Sequence, residues 1–341
     1  MKKVIALLLA MSMTVAAFTG CTAGQKASEE KKTETADKTS DKKEDGDKVY
    51  HIGIIQLVEH QALDAATEGF QKALKEKLGD KVEFDVQNAQ GEETNCATIA
   101  TKFVNSNVDL IMANATQAVI SSATATSDIP IVGTSVTDYA TALDISGWSG
   151  TTGRNISGTS DLAPLSEQAA MLNELFPDAK NVGLLYCSAE ANSQYQIDVI
   201  KEELEKLNYT CTAYSFVDSN DIASVVQSAV NENDVLYVPT DNTAASNTEV
   251  INNIAGEAGI PIIAGEAGIC KGCGVATLSI SYYDLGYQTG KMAYEILVNG
   301  ADPSTMEVEF APAVTKQYNP DICEKLGITV PDDYEALDMS E

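Results

Sequence analysis

The sequence predicts an α/β protein of two doubly wound, parallel-sheet lobes joined by a hinge of several strands. Three observations predict it. Short apolar runs alternate with amphipathic stretches of helical period from residue 49 onward, the βαβ rhythm of parallel sheets covered on both faces. The rhythm breaks once, over residues 144–159, where Gly147, Gly150, Gly153 and Gly158 replace any apolar pattern. It then restarts and supplies a second set of strands and helices.

Residues 52–58 (IGIIQLV) read as a buried strand. Leu63, Ala66, Phe70, Leu74 and Leu78 follow at three-to-four spacing and predict a helix that ends at Gly79. Val82, Phe84 and Val86 alternate as a second strand, and Cys96, Ile99, Ala100, Phe103 and Val104 form a helical stripe. Residues 110–113 and 130–133 are the third and fourth strands, and 144–159 is expected to be a crossover or hinge. Beyond it, helices are expected over 165–176, 193–207, 222–230 and 245–258. Strands are expected over 182–186, 211–216, 235–238 and 261–264. From about residue 275 come a strand (277–281), a helix (285–297), a strand near Val308 and a short helix near Ile322. These late elements are expected to complete both lobes. Lobe 1 then comprises residues 49–158 with about 283–310, and lobe 2 residues 159–282 with about 311–335.

Composition narrows the function. The chain has 341 residues, 22 Lys+Arg against 50 Asp+Glu, and a formal charge of −28. So acidic a surface repels phosphate backbones, so no nucleic-acid partner is expected. The N-terminus explains little of that charge. Lys2 and Lys3 precede an apolar run of signal-peptide length over residues 4–18, too short for a membrane span. Phe18-Thr19-Gly20-Cys21 places small residues before a cysteine, which resembles a bacterial lipobox. Cys21 is therefore expected to be lipidated once residues 1–21 have directed export. Residues 22–48 lack aromatics, Val, Ile and Leu and read as a disordered tether. The expected location is the outer face of the cell membrane.

Two α/β lobes around a hinge bring the carboxyl ends of both sheets to one cleft, where open α/β sheets bind ligands. That points to a small-molecule clamp, active as a monomer. No enzyme and no cofactor are expected: there is no G-x-S-x-G elbow or H-E-x-x-H, and residues 286–292 lack P-loop spacing.

Six ordered blocks carry a family resemblance. They are His51–His60 with Ala62-Leu63-Asp64, residues 130–138 (PIVGTSVTD), 188–193 (SAEANS), 237–243 (YVPTDNT), 261–266 (PIIAGE) and 282–290 (YYDLGYQTG). Together they resemble the ABC-transporter substrate-binding lipoproteins related to tryptophan/tyrosine-type binding proteins, over about residues 50–327. The resemblance implies a type I periplasmic-binding-protein fold, no catalysis, and delivery of a small molecule, an aromatic or other amino acid, to a permease and its ATPase. A sensor lipoprotein of the same fold, or a clamp for a sugar or nucleoside, remains open.

Candidate ligand residues follow strand ends. They are Gln56 and Glu59 after the first strand, Asn114 and Thr116 after the third, and Ser135, Thr137 and Asp138 after the fourth. Asn192 and Ser193 open a helix; Asp241, Asn242 and Thr243 follow Val238, and Glu266 follows Ala264. Hydroxyls at helix starts suit a carboxylate, and Asp138, Asp241, Glu59 and Glu266 suit an ammonium. Of the adjacent tyrosines, one is expected in the cleft and one in the core; Tyr283 is taken with the site. His60 is assigned to the rim. Cys270 and Cys273, expected in a tight turn, either form a disulfide or remain free thiols; no metal site is expected.

Overall fold

The computed structural model describes residues 48–311 and 313–340. The expected signal peptide, Cys21 and tether to residue 47 lie outside the described residues. The first part of the chain reads β1 (Tyr50–Gln56), α1 (Gln61–Leu78), β2 (Val82–Asn88), α2 (Glu93–Asn105), β3 (Leu110–Asn114), α3 (Thr116–Ala125), β4 (Ile131–Val136), α4 (Tyr139–Ala142) and β5 (Ile156–Ser160). The second reads α5 (Leu165–Leu175), β6 (Asn181–Cys187), α6 (Ala191–Lys206), β7 (Thr210–Phe216), α7 (Ile222–Glu232), β8 (Val235–Val238), α8 (Asn242–Ala245), α9 (Thr248–Ala258), β9 (Ile262–Ala264), α10 (Ala267–Cys273) and β10 (Ala276–Ser279). The chain closes with α11 (Tyr282–Asn299), β11 (Glu309–Phe310), β12 (Thr315–Tyr318), α12 (Pro320–Leu326) and β13 (Glu335–Ala336).

Two sheets result. The first runs β11-β5-β4-β3-β1-β2 and the second β13-β12-β10-β9-β8-β6-β7. Every neighbouring pair is parallel except β10 with β12. The chain passes from one sheet to the other after β5, after β10 and after β11. The predicted fold class is therefore the observed one. Central strands such as β1 and β3 are apolar on both faces because helices cover both. Ile52 and Ile54 pack toward Phe70, Leu74 and Ala293, and Ile55 and Ile111 toward Phe103 and Val119. Helix α11, late in sequence, thus joins the first sheet. A hydroxyl chain from Thr134 (β4) through Thr159 (β5) to Thr289 (α11), at 3.1 and 2.8 Å, ties it there.

Three readings need correction. Residues 144–159 are not all hinge, because their end forms β5, a full member of the first sheet. Its sequence, ISGTS, has one large apolar residue, yet all five are buried; Thr159 bonds the Thr134 and Thr289 hydroxyls, and Ser157 and Ser160 donate to the carbonyls of Met306 and Thr137. The helix expected over 245–258 starts later, as α9 at Thr248, because Asp241 caps a separate short helix, α8, that ends at Ala245, through the Ala244 N–H at 2.8 Å. The segment around Cys270 and Cys273 is not a turn but helix α10, started by the Glu266 carboxylate on the Gly268 and Ile269 N–H groups. Both cysteines are buried free thiols.

Candidate functional site

The parallel strands of both sheets end toward the same interlobe space, and the residues that follow them line it. At its centre is a small, partly enclosed chamber bounded by Ser135, Thr137 and Asp161 from the first lobe, Asn192, Thr240, Asp241 and Glu266 from the second, and His60 and Tyr282 at the starts of α1 and α11. Its free volume is ≈ 10 Å³, room for about one water or one ammonium group. Beside it, sharing Asn192 and Asn242, runs an open groove of ≈ 390 Å³. Thr116, Leu57 and Val58 line the groove from one lobe, and Glu190, Thr243 and Val217 from the other. The two lobes meet across this space: His60 Nε2 lies 3.2 Å from Asn242 Oδ1.

Three carboxyl groups converge on the chamber. Asp161 accepts from the Tyr282 hydroxyl at 2.8 Å and from Thr137 Oγ1 at 3.3 Å. Burial pushes its pKa up to about 6, against the pull of those two bonds. Asp241 accepts from the Cys187 N–H at 2.6 Å and the Ala244 N–H at 2.8 Å. Burial, then the nearby charge of Glu190, raises it to about 8. Glu266 is also raised by burial, opposed by His60 and by two backbone N–H groups. Among the described residues these groups do not form a cluster of three placed to share a metal ion.

Groups suited to an anion lie beside them. Ser135 Oγ and Thr116 Oγ1 are buried and make no hydrogen bond within the protein. A buried hydroxyl without a partner carries a desolvation cost, and of the five such side-chain atoms among the described residues these two line the groove and the chamber. Ser135 holds a φ of 55°, and Ala115, just before Thr116, a φ of 98°. Such strained conformations cluster at functional sites. Helices α1, α3 and α6 begin without side-chain caps, and their first residues line the chamber or groove. Their free N–H groups favour negative charge.

The sequence-predicted residues divide accordingly. Thr137, Ser135, Asn192, Asp241 and Glu266 line the chamber, with Asn242 at its edge; Thr116 and Thr243 line the groove. Ser193 sits behind them, bonded to Asp241. Five others lie outside the chamber and groove; the first, Asn114, donates from Nδ2 to Leu63 O and Thr67 Oγ1. Gln56 is consumed internally, donating to Val58 O and Asp64 and accepting from Thr67. Asp138 caps α4 through the Thr141 N–H and also lines, with Thr116, Asn192 and Tyr195, a small pocket between the lobes. Glu59 is exposed on an outer groove with Lys271. Tyr283 stacks on Tyr287, 6.5 Å away, outside the chamber; Tyr282 is the tyrosine that enters it. One residue apart on a helix start, the two point about 100° apart, and the apolar pattern does not choose between them.

Asp161, Glu190, Tyr282 and the inward role of His60 escaped the sequence reading. Asp161 follows a strand without an apolar signature. Glu190 holds the second lobe's site together: it accepts from the Asn242 N–H and Nδ2 at 3.1 and 2.6 Å, and from the Thr243 N–H and Oγ1 at 2.8 and 2.7 Å. A strand-end acid before a helix was the available signal.

Comparison with known proteins agrees with this geometry. The model of the ABC transporter substrate binding protein family matches residues 51–338. The chain belongs to this family. A tyrosine-binding protein of Clostridioides difficile (strain R20291) is 38% identical over 301 residues, covering 87% of this chain and 84% of the relative. The ABC domain of a Streptococcus pneumoniae protein, solved in complex with L-Trp, is 32% identical with a TM-score of 0.80, covering 83% of this chain and 96% of that one. A Clostridium difficile substrate-binding protein with adhesive properties, solved in a ligand-free, open form, is 37% identical with a TM-score of 0.66, covering 86% and 100%. The chain is thus more similar in sequence to the open protein but in shape to the L-Trp complex. In this structure the lobes touch at the His60–Asn242 contact. As a member of the family, the protein is an extracytoplasmic substrate-binding protein of an ABC transporter that takes a small ligand.

Proposed function

We propose that the protein captures an α-amino acid, aromatic by analogy with its relatives, between its lobes and delivers it to the permease and ATPase of an importer. The observation that carries this is the juxtaposition of buried carboxyls Asp161, Asp241 and Glu266 with the unpartnered hydroxyls of Ser135 and Thr116. The ammonium seats in the chamber, which has its size, against acceptors from both lobes. The carboxylate takes the two hydroxyls and the uncapped starts of α1 and α3. The side chain extends past Asn192 and Asn242 into the groove. Because Asp161 and Ser135 come from one lobe and Asp241 and Glu266 from the other, the ligand binds the closed form better than the open one and shifts the population toward it. The closed, loaded form docks on the permease. Lipidated Cys21 and a tether over residues 22–48 keep it at the membrane.

The test is thermal unfolding of residues 48–341 against amino acids, sugars and nucleosides. A specific ligand at 100 times its Kd adds about 2.7 kcal/mol. Stabilisation by aromatic amino acids supports the reading; stabilisation only by a sugar or nucleoside overturns it. The hydroxyls give a second test. Thr116→Val and Ser135→Ala break no bond inside the protein, so melting of the unliganded protein should change little. Each should weaken amino-acid binding about tenfold or more, the scale of a hydrogen bond to a charged group. Equal affinity in both variants would remove the hydroxyls from the site.

A further inference from the structure

The chamber has an unbalanced charge inventory. Asp161 enters from the end of β5, Asp241 from the end of β8 and Glu266 from the end of β9, each no more than 4% exposed. Glu190, at the end of β6, adds its charge to Asp241. The other titratable groups facing these carboxyls are His60 and Tyr282 in the chamber, Tyr139 near Asp161, the Cys187 thiol near Asp241, the Cys270 and Cys273 thiols behind Glu266, and Glu59 and Lys271, which line an outer groove with Glu266, Lys271 donating there to Ser340 O. Among the described residues lining the chamber there is no Lys or Arg, and His60 is its one potential cation. Like charges in a desolvated space of this size do not all stay ionised. Something positive must enter: a proton or the ligand's own ammonium.

We propose that protons and the ligand's ammonium compete for this chamber, so that each amino acid bound displaces about one proton to solvent. The inference rests on the amino-acid reading and adds its regulation. The exchange balances: a carboxyl O–H loses H⁺ to water, and the resulting carboxylate is neutralised by an –NH₃⁺ that arrives already protonated. Asp241 is the main proton holder, since burial is complete and Glu190 bears on it, both of which raise its pKa. Asp161, at about 6, joins it in mildly acidic medium. The clamp therefore binds more weakly as the medium acidifies.

Calorimetric titration of residues 48–341 with L-tyrosine and L-tryptophan, in phosphate and in Tris, decides the matter. At pH 7 the apparent heats should differ by the buffers' ionisation heats for about one proton released. Affinity should tighten up to about tenfold per pH unit between pH 5.5 and 7.5, a range in which a free amino acid keeps its charges. Asp241→Asn should bind weakly and with a flatter pH dependence. If that variant does not fold, the parent's two-buffer heats suffice. Equal heats in both buffers with a flat pH profile would overturn the exchange while leaving the amino-acid reading standing. Failure of every amino acid to bind at any pH would overturn that reading, and the exchange with it.

Discussion

The Asp161→Asn protein should melt higher than the parent at pH 8 and bind amino acids at least tenfold more weakly. Asp161 is 4% exposed, and burial raises its carboxyl to about 6. In the unfolded chain it titrates near 3.8. Between those values the folded state holds a proton that the unfolded state has lost, so stability falls as pH rises from about 4 to about 6 and stays lost above. Roughly two pKa units correspond to about 3 kcal/mol as an upper figure. Asparagine removes this cost without breaking the local bonds: the Thr137 and Tyr282 hydroxyls now donate to Asp161, and either can rotate to accept from the amide. At about 2–4 °C per kcal/mol for a body of this size or somewhat smaller, the gain is several degrees. Calorimetry at two pH values checks it: the gap between variant and parent should open at pH 8 and close near pH 4. A variant that melts lower at pH 8, or keeps full affinity, would show that Asp161 serves the fold and not the ligand. Stability surrendered for a charged site is the usual exchange in binding proteins.

The second large effect lies at the α1–α11 crossing. A Cβ on Gly286 would lie 1.9 Å from Ala66 O, and one on Gly69 2.1 Å from Tyr283 O. Backbone meets backbone here, so no side chain can move aside. Gly286→Ala must push the helices apart, at a cost of about 1–3 kcal/mol or more. Melting should drop by about 5 °C or more. Binding should weaken as well, because α1 carries His60, Ala62 and Leu63 to the chamber and α11 carries Tyr282. Gly256→Ala is the contrast: the nearest atom to its Cβ is the flexible Lys325 Nζ, at 2.8 Å. That change should be neutral or mildly stabilising, given alanine's better helix propensity. Equal melting of both variants would mean that the crossing relaxes freely.

Much of the fold was legible because its signals are local. The Leu63–Phe70–Leu74 stripe, the double-sided burial of β1 and the Gly79 stop each need only a few neighbouring residues to be read. Strand β5 was not legible: its ISGTS buries hydroxyls that are satisfied by Thr134 and Thr289, residues 25 and 130 positions away. Helix α10 was missed for a related reason, since its start depends on the cap made by Glu266, a residue assigned wholly to ligand.

The site shows the same division. The sequence by itself determined that polar and acidic residues follow the strand ends of a two-lobed α/β protein, because that placement follows from strand–helix alternation. It also pointed to Asp241, Glu266, Ser135 and Thr116 by residue type and position. Only the tertiary structure decided which acids share a chamber. Asp138 and Gln56 bond neighbours two to eleven positions away, whereas Asp161, His60 and Tyr282 meet partners up to 182 positions distant. Burial and charge convergence belong to the packed whole: a carboxyl's environment is set by what the other lobe brings against it, and no window of sequence contains both sides.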